Sequence, residues 1–173
     1  MKRLLADTNI YGLLARDLNR TELVEKVIDR KTILVYGNKI IRDELRDIPK
    51  KVKIEGKSLR IDILNLYDQI VKRHSLKIDD SIIEMAHSYY KAYREFGGSK
   101  SRDNIIADFK IVACASFHLM GIVVSSDEKS MLTENAIRAY KLVNSIVKKR
   151  TPEFIDFIKF KKLLGGGKSN EFV

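Results

Sequence analysis

Lys2-Arg3-Leu4-Leu5-Ala6-Asp7-Thr8-Asn9-Ile10 opens the chain, and its reading decides the fold. Leu4, Leu5 and Ala6 form a short apolar run, while Thr8-Asn9-Ile10 begins an amphipathic stretch that continues through Leu13 and Leu14, so the segment reads strand, acidic tip, helix. The pattern returns in Gly121-Ile122-Val123-Val124-Ser125-Ser126-Asp127. Its β-branched run suits a strand buried on both faces, as in a parallel sheet. Asp7 and Asp127 then emerge at carboxyl ends of strands, the edge at which open α/β sheets place their ligands. A carboxylate there is costly unless a positive charge meets it, and a divalent cation shared by several acids is the usual answer.

Two further acids fit that answer. Glu44 lies in a short helix, Asn38–Ile48, closed by Pro49. At 100° per residue Ile41, Leu45 and Ile48 mark its inward face, and Glu44 falls within that arc whereas Asp43 falls outside it. Asp108 sits near the start of the apolar helix Asn104–Ala115, with Asn104 available as its cap, so that the amino end favours a nearby phosphate. Each acid alone has an ordinary structural role open to it. Asp7 can cap a helix, Glu44 can belong to a solvated face, Asp108 can complement a helix dipole with Asp103 as a competitor, and Asp127 can sit in a turn. The joint pattern points to a metal-dependent phosphodiesterase.

Working outward, the chain order reads strand 3–6, helices 9–16 and 21–30, strand 32–36, helix 38–48, helices 57–74 and 79–96, helix 104–120, strand 121–125, helix 134–149 and a last strand near 153–157. This alternation gives an α/β parallel sheet. The 63 residues between Glu44 and Asp108 are expected to form a helical insertion, 57–96, standing as an arm beside the cleft. Asp79-Asp80-Ser81 starts its second helix, and Gly97-Gly98-Ser99-Lys100-Ser101 ends it in a mobile loop. Within it Leu59, Ile63, Leu66 and Ile70 recur at helical spacing, either as a dimer face or as a face docked on its own domain. Tyr89, Tyr90 and Tyr93 can stack on RNA bases, but tyrosine more often packs at helix interfaces with its hydroxyl outward.

The 173 residues, 45% hydrophobic, suit one core: a single domain over 1–164 and a flexible tail over 165–173. There is no apolar run of transmembrane length and no signal-peptide core after Lys2-Arg3, so no membrane partner and a cytoplasmic location are expected. The one cysteine, Cys114, reads as a packed thiol and rules out a Cys-rich zinc module. The histidines His74, His87 and His118 lack the spacing of a zinc site, and the triple glycine 165–167 follows no strand, which disfavours a nucleotide phosphate loop. The formal charge of +10, from 33 Lys and Arg against 23 Asp and Glu, suits a polyanionic partner. Two clusters concentrate it: Arg46, Lys50, Lys51, Lys53, Lys57 and Arg60 after the Glu44 helix, the first four of which are assigned to RNA, and Lys148, Lys149, Arg150, Lys159, Lys161 and Lys162 near the end, for which a merely solvated surface is an equal reading.

Leu5-Ala6-Asp7-Thr8-Asn9, Glu44 in its short helix, Asp108–Ala115, Val124-Ser125-Ser126-Asp127 and Thr151-Pro152-Glu153-Phe154-Ile155 together resemble the PIN-domain family of ribonucleases, including the VapC-type toxins, in order and over nearly the whole chain. The resemblance implies a three-layer α/β/α fold with a central five-stranded parallel sheet. It also implies an acidic pocket in which Asp7, Glu44, Asp108 and Asp127 hold one or two Mg²⁺ or Mn²⁺ ions and hydrolyse RNA phosphodiester bonds, leaving a 5′-phosphate and a 3′-hydroxyl. Asn9 and Ser125 match its supporting polar positions. The chain departs from the pattern at Ser130-Met131, where many relatives carry an acid or Asn and then an aromatic, which weakens a second metal site. A homodimer and, for a toxin, a small antitoxin are the partners implied, although the long insertion and positive charge shift the reading toward an RNA-processing enzyme. Three rivals are set against this. A phosphohydrolase with Asp7 as nucleophile is disfavoured by Asn9, a flap-type DNA nuclease by length, and a non-catalytic PIN-like RNA- or protein-binding module is kept open by Ser130.

Overall fold

The protein is described from a computed structural model that covers residues 1–29 and 32–165. Five parallel strands, β1 (Lys2–Ala6), β2 (Ile33–Asn38), β5 (Ser75–Leu76), β6 (Ile122–Val124) and β7 (Glu153–Ile155), lie in the order β5-β2-β1-β6-β7. Strand β1 is central, with Leu4 between Val35 and Ile122 and Leu5 between Tyr36 and Val123. Leu4 and Leu5 point to opposite faces and are both fully buried, as expected of a parallel strand covered by helices on each side.

The helices are α1 (Thr8–Arg16), α2 (Arg20–Asp29), α3 (Lys39–Asp47), α4 (Leu59–Val71), α5 (Asp80–Glu95), α6 (Arg102–Phe117), α7 (Glu134–Ile146) and α8 (Phe157–Leu163). The parallel strands are joined by helical crossovers, which divide the helices between the two faces. Helices α1, α2 and α4 pack together on one face, and α5, α6 and α7 on the other. Among the described residues no helix is long and apolar enough to cross a membrane.

Several expectations are corrected. Two elements lie beyond what the sequence pattern predicts: the hairpin of β3 (Lys53–Ile54) and β4 (Lys57–Ser58), and α8. The fifth strand lies inside the segment expected as a helical insertion: β5 pairs with β2 through Gly37–Ser75 and Asn38–Leu76. Two residues are too few to show a period, so only the parallel edge of β2 makes this segment a strand. Residues 57–96 are also no separate arm. Leu59, Ile63, Leu66 and Ile70 are at most 8% exposed within one continuous core, and so cannot provide a dimer face. Tyr89 and Tyr93 are likewise buried, edge-on to Phe109 at 6.3 and 5.5 Å, and the Tyr89 hydroxyl donates to Asn144 Oδ1 at 2.6 Å. Cys114 is a buried thiol. The tail expected from 165 onward lies, beyond Gly165, outside the described residues.

The loop 97–101 is anchored. Arg94 Nη1 donates to the Gly98 carbonyl at 2.8 Å, and the Lys100 amide donates to the Tyr93 hydroxyl at 3.2 Å. Gly98 lies so close over the Tyr93 ring that a Cβ there would overlap it. Tyr93 is itself wedged against Phe109, next to Asp108, so it has nowhere to retreat. Gly98→Ala is therefore expected to destabilise the protein by about 1–3 kcal/mol, the usual scale of overpacking. Urea unfolding of Gly98→Ala beside the exposed control Ser99→Ala measures this, and equal midpoints would show the loop to be looser than its contacts imply.

Candidate functional site

Asp7 is the first residue past β1 and the N-cap of α1, so its capping role and its place at the sheet edge coincide. Its carboxylate accepts from Thr8 N at 2.7 Å, Asn9 Nδ2 at 2.8 Å and Ser125 Oγ at 2.9 Å, and the residue is 4% exposed. Burial pushes its pKa up to about 6 against the pull of the Ser125 and Thr8 bonds, and the charges of Glu44 and Asp127 add to the rise. Beside it Ser125 is fully buried and accepts from Asp127 N at 3.1 Å, while Asn9 Oδ1 accepts from Ser126 N at 3.2 Å. Asn9 and Ser125 thus tie the tip of β1 to the loop after β6.

Asp127 is held by that loop. It accepts from the amides of Lys129 and Ser130, both at 3.0 Å, and from the Ser130 hydroxyl. Although burial acts to raise its pKa, these bonds together with the charge of Lys100 lower it below the ordinary aspartate value. Of the four acids, Asp127 is the one whose surroundings favour the ionised form.

Glu44 reaches the group from α3, as its helical phase requires, and accepts a bond from the Thr8 hydroxyl. Its pKa is raised by burial, opposed by Thr8, and raised further by Asp108, Asp47 and Asp127. Asp43, on the other arc, pairs instead with Lys39 at 2.6 Å in solvent. Asp108 sits in the second turn of α6, because the helix begins at Arg102 with Ser101 as its N-cap. The expected Asn104 cap is thus wrong, and the orphan amides of the first turn lie a turn away from Asp108. Burial raises Asp108 to about 6 despite a bond from Ser130, the charges of Asp7 and Asp127 raise it and that of Lys100 opposes them.

The four acids come from four separate segments and perturb one another, yet none of them is in an ion pair among the described residues. Equally, no three His, Cys, Asp or Glu side chains of the described residues are already drawn into a metal-ligating group. Asp7, Glu44 and Asp127 are instead satisfied one by one by Thr8, Asn9, Ser125 and Ser130, and like charges held close together favour a cation between them. The donor set is hard oxygen throughout, which fits Mg²⁺ or Mn²⁺.

Three contributors escape sequence reading. Thr8 and Ser130 act by hydroxyl contact, and Ser130, a gap in the sequence pattern, donates to Asp127 and lies close enough to Asp108 to oppose the rise of its pKa. Lys100 is brought in by the anchored loop, a tertiary effect with no local signal. Arg46, Lys50, Lys51 and Lys53 are exposed, with Arg46 3.6 Å from Asp43. A groove of about 560 Å³ is lined by Thr8, Asn9, Leu13, Ile48, Val52 and Ser126, which adjoin Asp7, Asp127 and that basic segment along the chain.

No protein-family model and no curated protein matches the sequence. Solved structures match its fold. VapBC2 from Rickettsia felis, bound to a DNA fragment from its promoter, is 11% identical with a TM-score of 0.58 over 89% of this chain and 98% of that one. FitAB bound to an IR36 DNA fragment is 17% identical, with a TM-score of 0.56 over 89% and 94%. VapBC-1 from nontypeable Haemophilus influenzae is 14% identical, with a TM-score of 0.57 over 90% and 98%.

Proposed function

We propose that this chain is a VapC-like PIN-type nuclease, a metal-dependent endoribonuclease whose centre is Asp7, Glu44, Asp108 and Asp127. One observation carries the reading: four acids from distant parts of the chain share one edge of the sheet, three of them with raised pKa values and none with an ion-pair partner among the described residues. A structural role for any one acid would not need the other three nearby. Bound among them, Mg²⁺ or Mn²⁺ would supply a Lewis acid that activates water and offsets charge on the phosphate. Asp127, with its lowered pKa, would be held ready as an ionised ligand, and Asp7 and Asp108, raised to about 6, would join it as ligands once deprotonated. Ser125 and Asn9 orient Asp7, Thr8 orients Glu44, and Ser130 orients Asp127, so three of the four ligands are aimed by a neighbour. Incubating the protein with single-stranded RNA and DNA in Mg²⁺, Mn²⁺ or EDTA tests the proposal. Cleavage of RNA that needs the ion and leaves 5′-phosphate ends is the expected result.

The absence of a ready-formed triad of ligands among the described residues favours a second reading, a PIN-like module that binds RNA or protein without cutting. It would show RNA binding in EDTA and no cleavage in Mn²⁺. For the nuclease, Lys50, Lys51, Lys53 and Arg46 take the strand beyond the groove. Lys50→Glu with Lys51→Glu is expected to lower RNA affinity, and to lessen the slope of log affinity against log salt by roughly 0.7 for each phosphate no longer neutralised. Fluorescence anisotropy in EDTA measures both, and an unchanged slope would remove these lysines from the interface. A homodimer and a small antitoxin covering the apolar groove beside the acids belong to the same proposal, the first now resting on kinship with the VapBC fold instead of on α4.

A further inference from the structure

Three residues of the second basic cluster, Arg150, Lys159 and Lys162, line a concave part of the surface. At the amino-terminal edge of the sheet two clefts adjoin, one of about 330 Å³ against Met1, Arg3, Leu119 and Arg150 and one of about 370 Å³ against α8. They share Lys2, Ile122 and Glu153, which makes them one elongated trough. Five cations line it, Lys2, Arg3, Arg150, Lys159 and Lys162, against the single acid Glu153. The ion pairs of the described residues are made by other cations, so this charge is not compensated within the described part of the protein. Arg3 differs from the others: its guanidinium stacks 5.0 Å from the Tyr36 ring centroid on β2 and its Nε is buried, so it borders the trough while Lys2, Arg150, Lys159 and Lys162 offer the accessible charge.

A concave wall of low dielectric lined by one sign of charge focuses its field on whatever fits inside. The shape selects the ligand. A lone anion would occupy one cleft, whereas a trough of two linked clefts with cations along both suits a chain of regularly spaced negative charges. A membrane surface is flat and would leave the trough unfilled. Asp7 and Asp127 of the candidate site follow the opposite ends of β1 and β6, a separation of roughly 16 Å along a five-residue strand, so one flexible RNA chain can span both places.

We propose that this trough is a second nucleic-acid surface, which grips the phosphate backbone of single-stranded RNA outside the segment presented to the acids. The choice of RNA rests on the function proposed above. The trough itself does not depend on cleavage.

The test is binding of a labelled oligouridine strand by anisotropy in EDTA across a salt series. The trough variant is Lys2→Glu, Arg150→Glu, Lys159→Glu. A control triple, Lys77→Glu, Lys91→Glu, Lys141→Glu, takes three exposed lysines away from both sites and brings the same fall in net charge, from +10 by three reversals of two units to +4. The trough variant is expected to bind at least tenfold more weakly than the control, with the salt slope reduced by about 2, or three phosphates at roughly 0.7 each. Circular dichroism melts of both triples verify folding, and Lys2→Gln, Arg150→Gln, Lys159→Gln repeats the experiment with a milder change should the reversal unfold. Equal affinity and slope in trough and control variants would overturn the proposal. So would wild-type binding to phosphatidylserine vesicles, lost in the trough variant, without any difference between the variants on RNA. Failure of Asp127→Asn to stop cleavage would count against the nuclease centre and leave the trough standing, so the two readings fail separately.

Discussion

Asp127→Asn is expected to lower Mn²⁺-dependent RNA cleavage by at least about 10²–10³-fold, the scale on which removing one charge-stabilising group acts. Among the four acids Asp127 alone has its pKa lowered, so its surroundings favour the ionised form that recruits an ion. Asparagine keeps an acceptor for the amides of Lys129 and Ser130, so the loop after β6 should survive and the loss should be chemical. Asp7→Asn is expected to be as severe in activity but less clean. The new amide must face the donors of Asn9 and Ser125, both of which now point at Asp7 Oδ2. Asp43→Asn, in solvent with Lys39, should retain full cleavage. Binding to RNA in EDTA should persist in Asp127→Asn, because basic residues and not acids meet the phosphates. Cleavage surviving Asp127→Asn, or lost equally in Asp43→Asn, would remove the acids from the chemistry.

How far the sequence leads depends on the range of each signal. The β1–Asp7–α1 and β6–Asp127 units are legible because a buried parallel strand needs an unbroken apolar run, and an acid at its end is conspicuous. The inward phase of Glu44 follows from the period of one helix. Asp108 is legible as part of an apolar helix, but its cap is not, because Ser101 begins the helix three residues earlier and makes no side-chain bond that a pattern would reveal. Strand β5 and the position of Lys100 exist only through tertiary contacts: an edge offered by β2 in one case, and Tyr93 and Gly98 in the other. The α4 stripe shows the converse. Its spacing is plain in the sequence, but an apolar helix face carries no mark of whether it meets its own core or a second copy.

The second large effect is on stability, and its sign runs against the usual acid denaturation. Asp7 and Asp108, ordinarily near 3.8, are each raised to about 6, and Glu44 is raised as well. A carboxyl with a folded pKa above its unfolded value stabilises the fold fully below the unfolded value, and that contribution is lost as pH rises through the folded one. The window here is therefore about pH 4 to 6. Asp127, shifted the other way, loses its contribution only below its ordinary value, and so does not cancel the effect inside that window. Without metal the protein should melt at a lower temperature at pH 7.5 than near pH 5. A shift of about two units in one buried carboxyl corresponds to roughly 3 kcal/mol, a ceiling because the acids titrate together. Asp108→Asn releases part of it, because the neutral amide no longer carries a buried charge beside Asp7 and Asp127. This variant is expected to gain on the order of 1–2 kcal/mol at pH 7.5, or several degrees of melting temperature at about 2–4 °C per kcal/mol, and almost nothing at pH 4. Mn²⁺ should raise the wild-type melting temperature at pH 7.5, do so far less at pH 5 where the carboxyls hold protons, and do little for Asp108→Asn. Differential scanning calorimetry across this pH range, with and without Mn²⁺, decides the matter. A metal-free wild type and Asp108→Asn that melt alike at pH 7.5, with Mn²⁺ moving neither, would mean that the four carboxylates are neighbours without being a site.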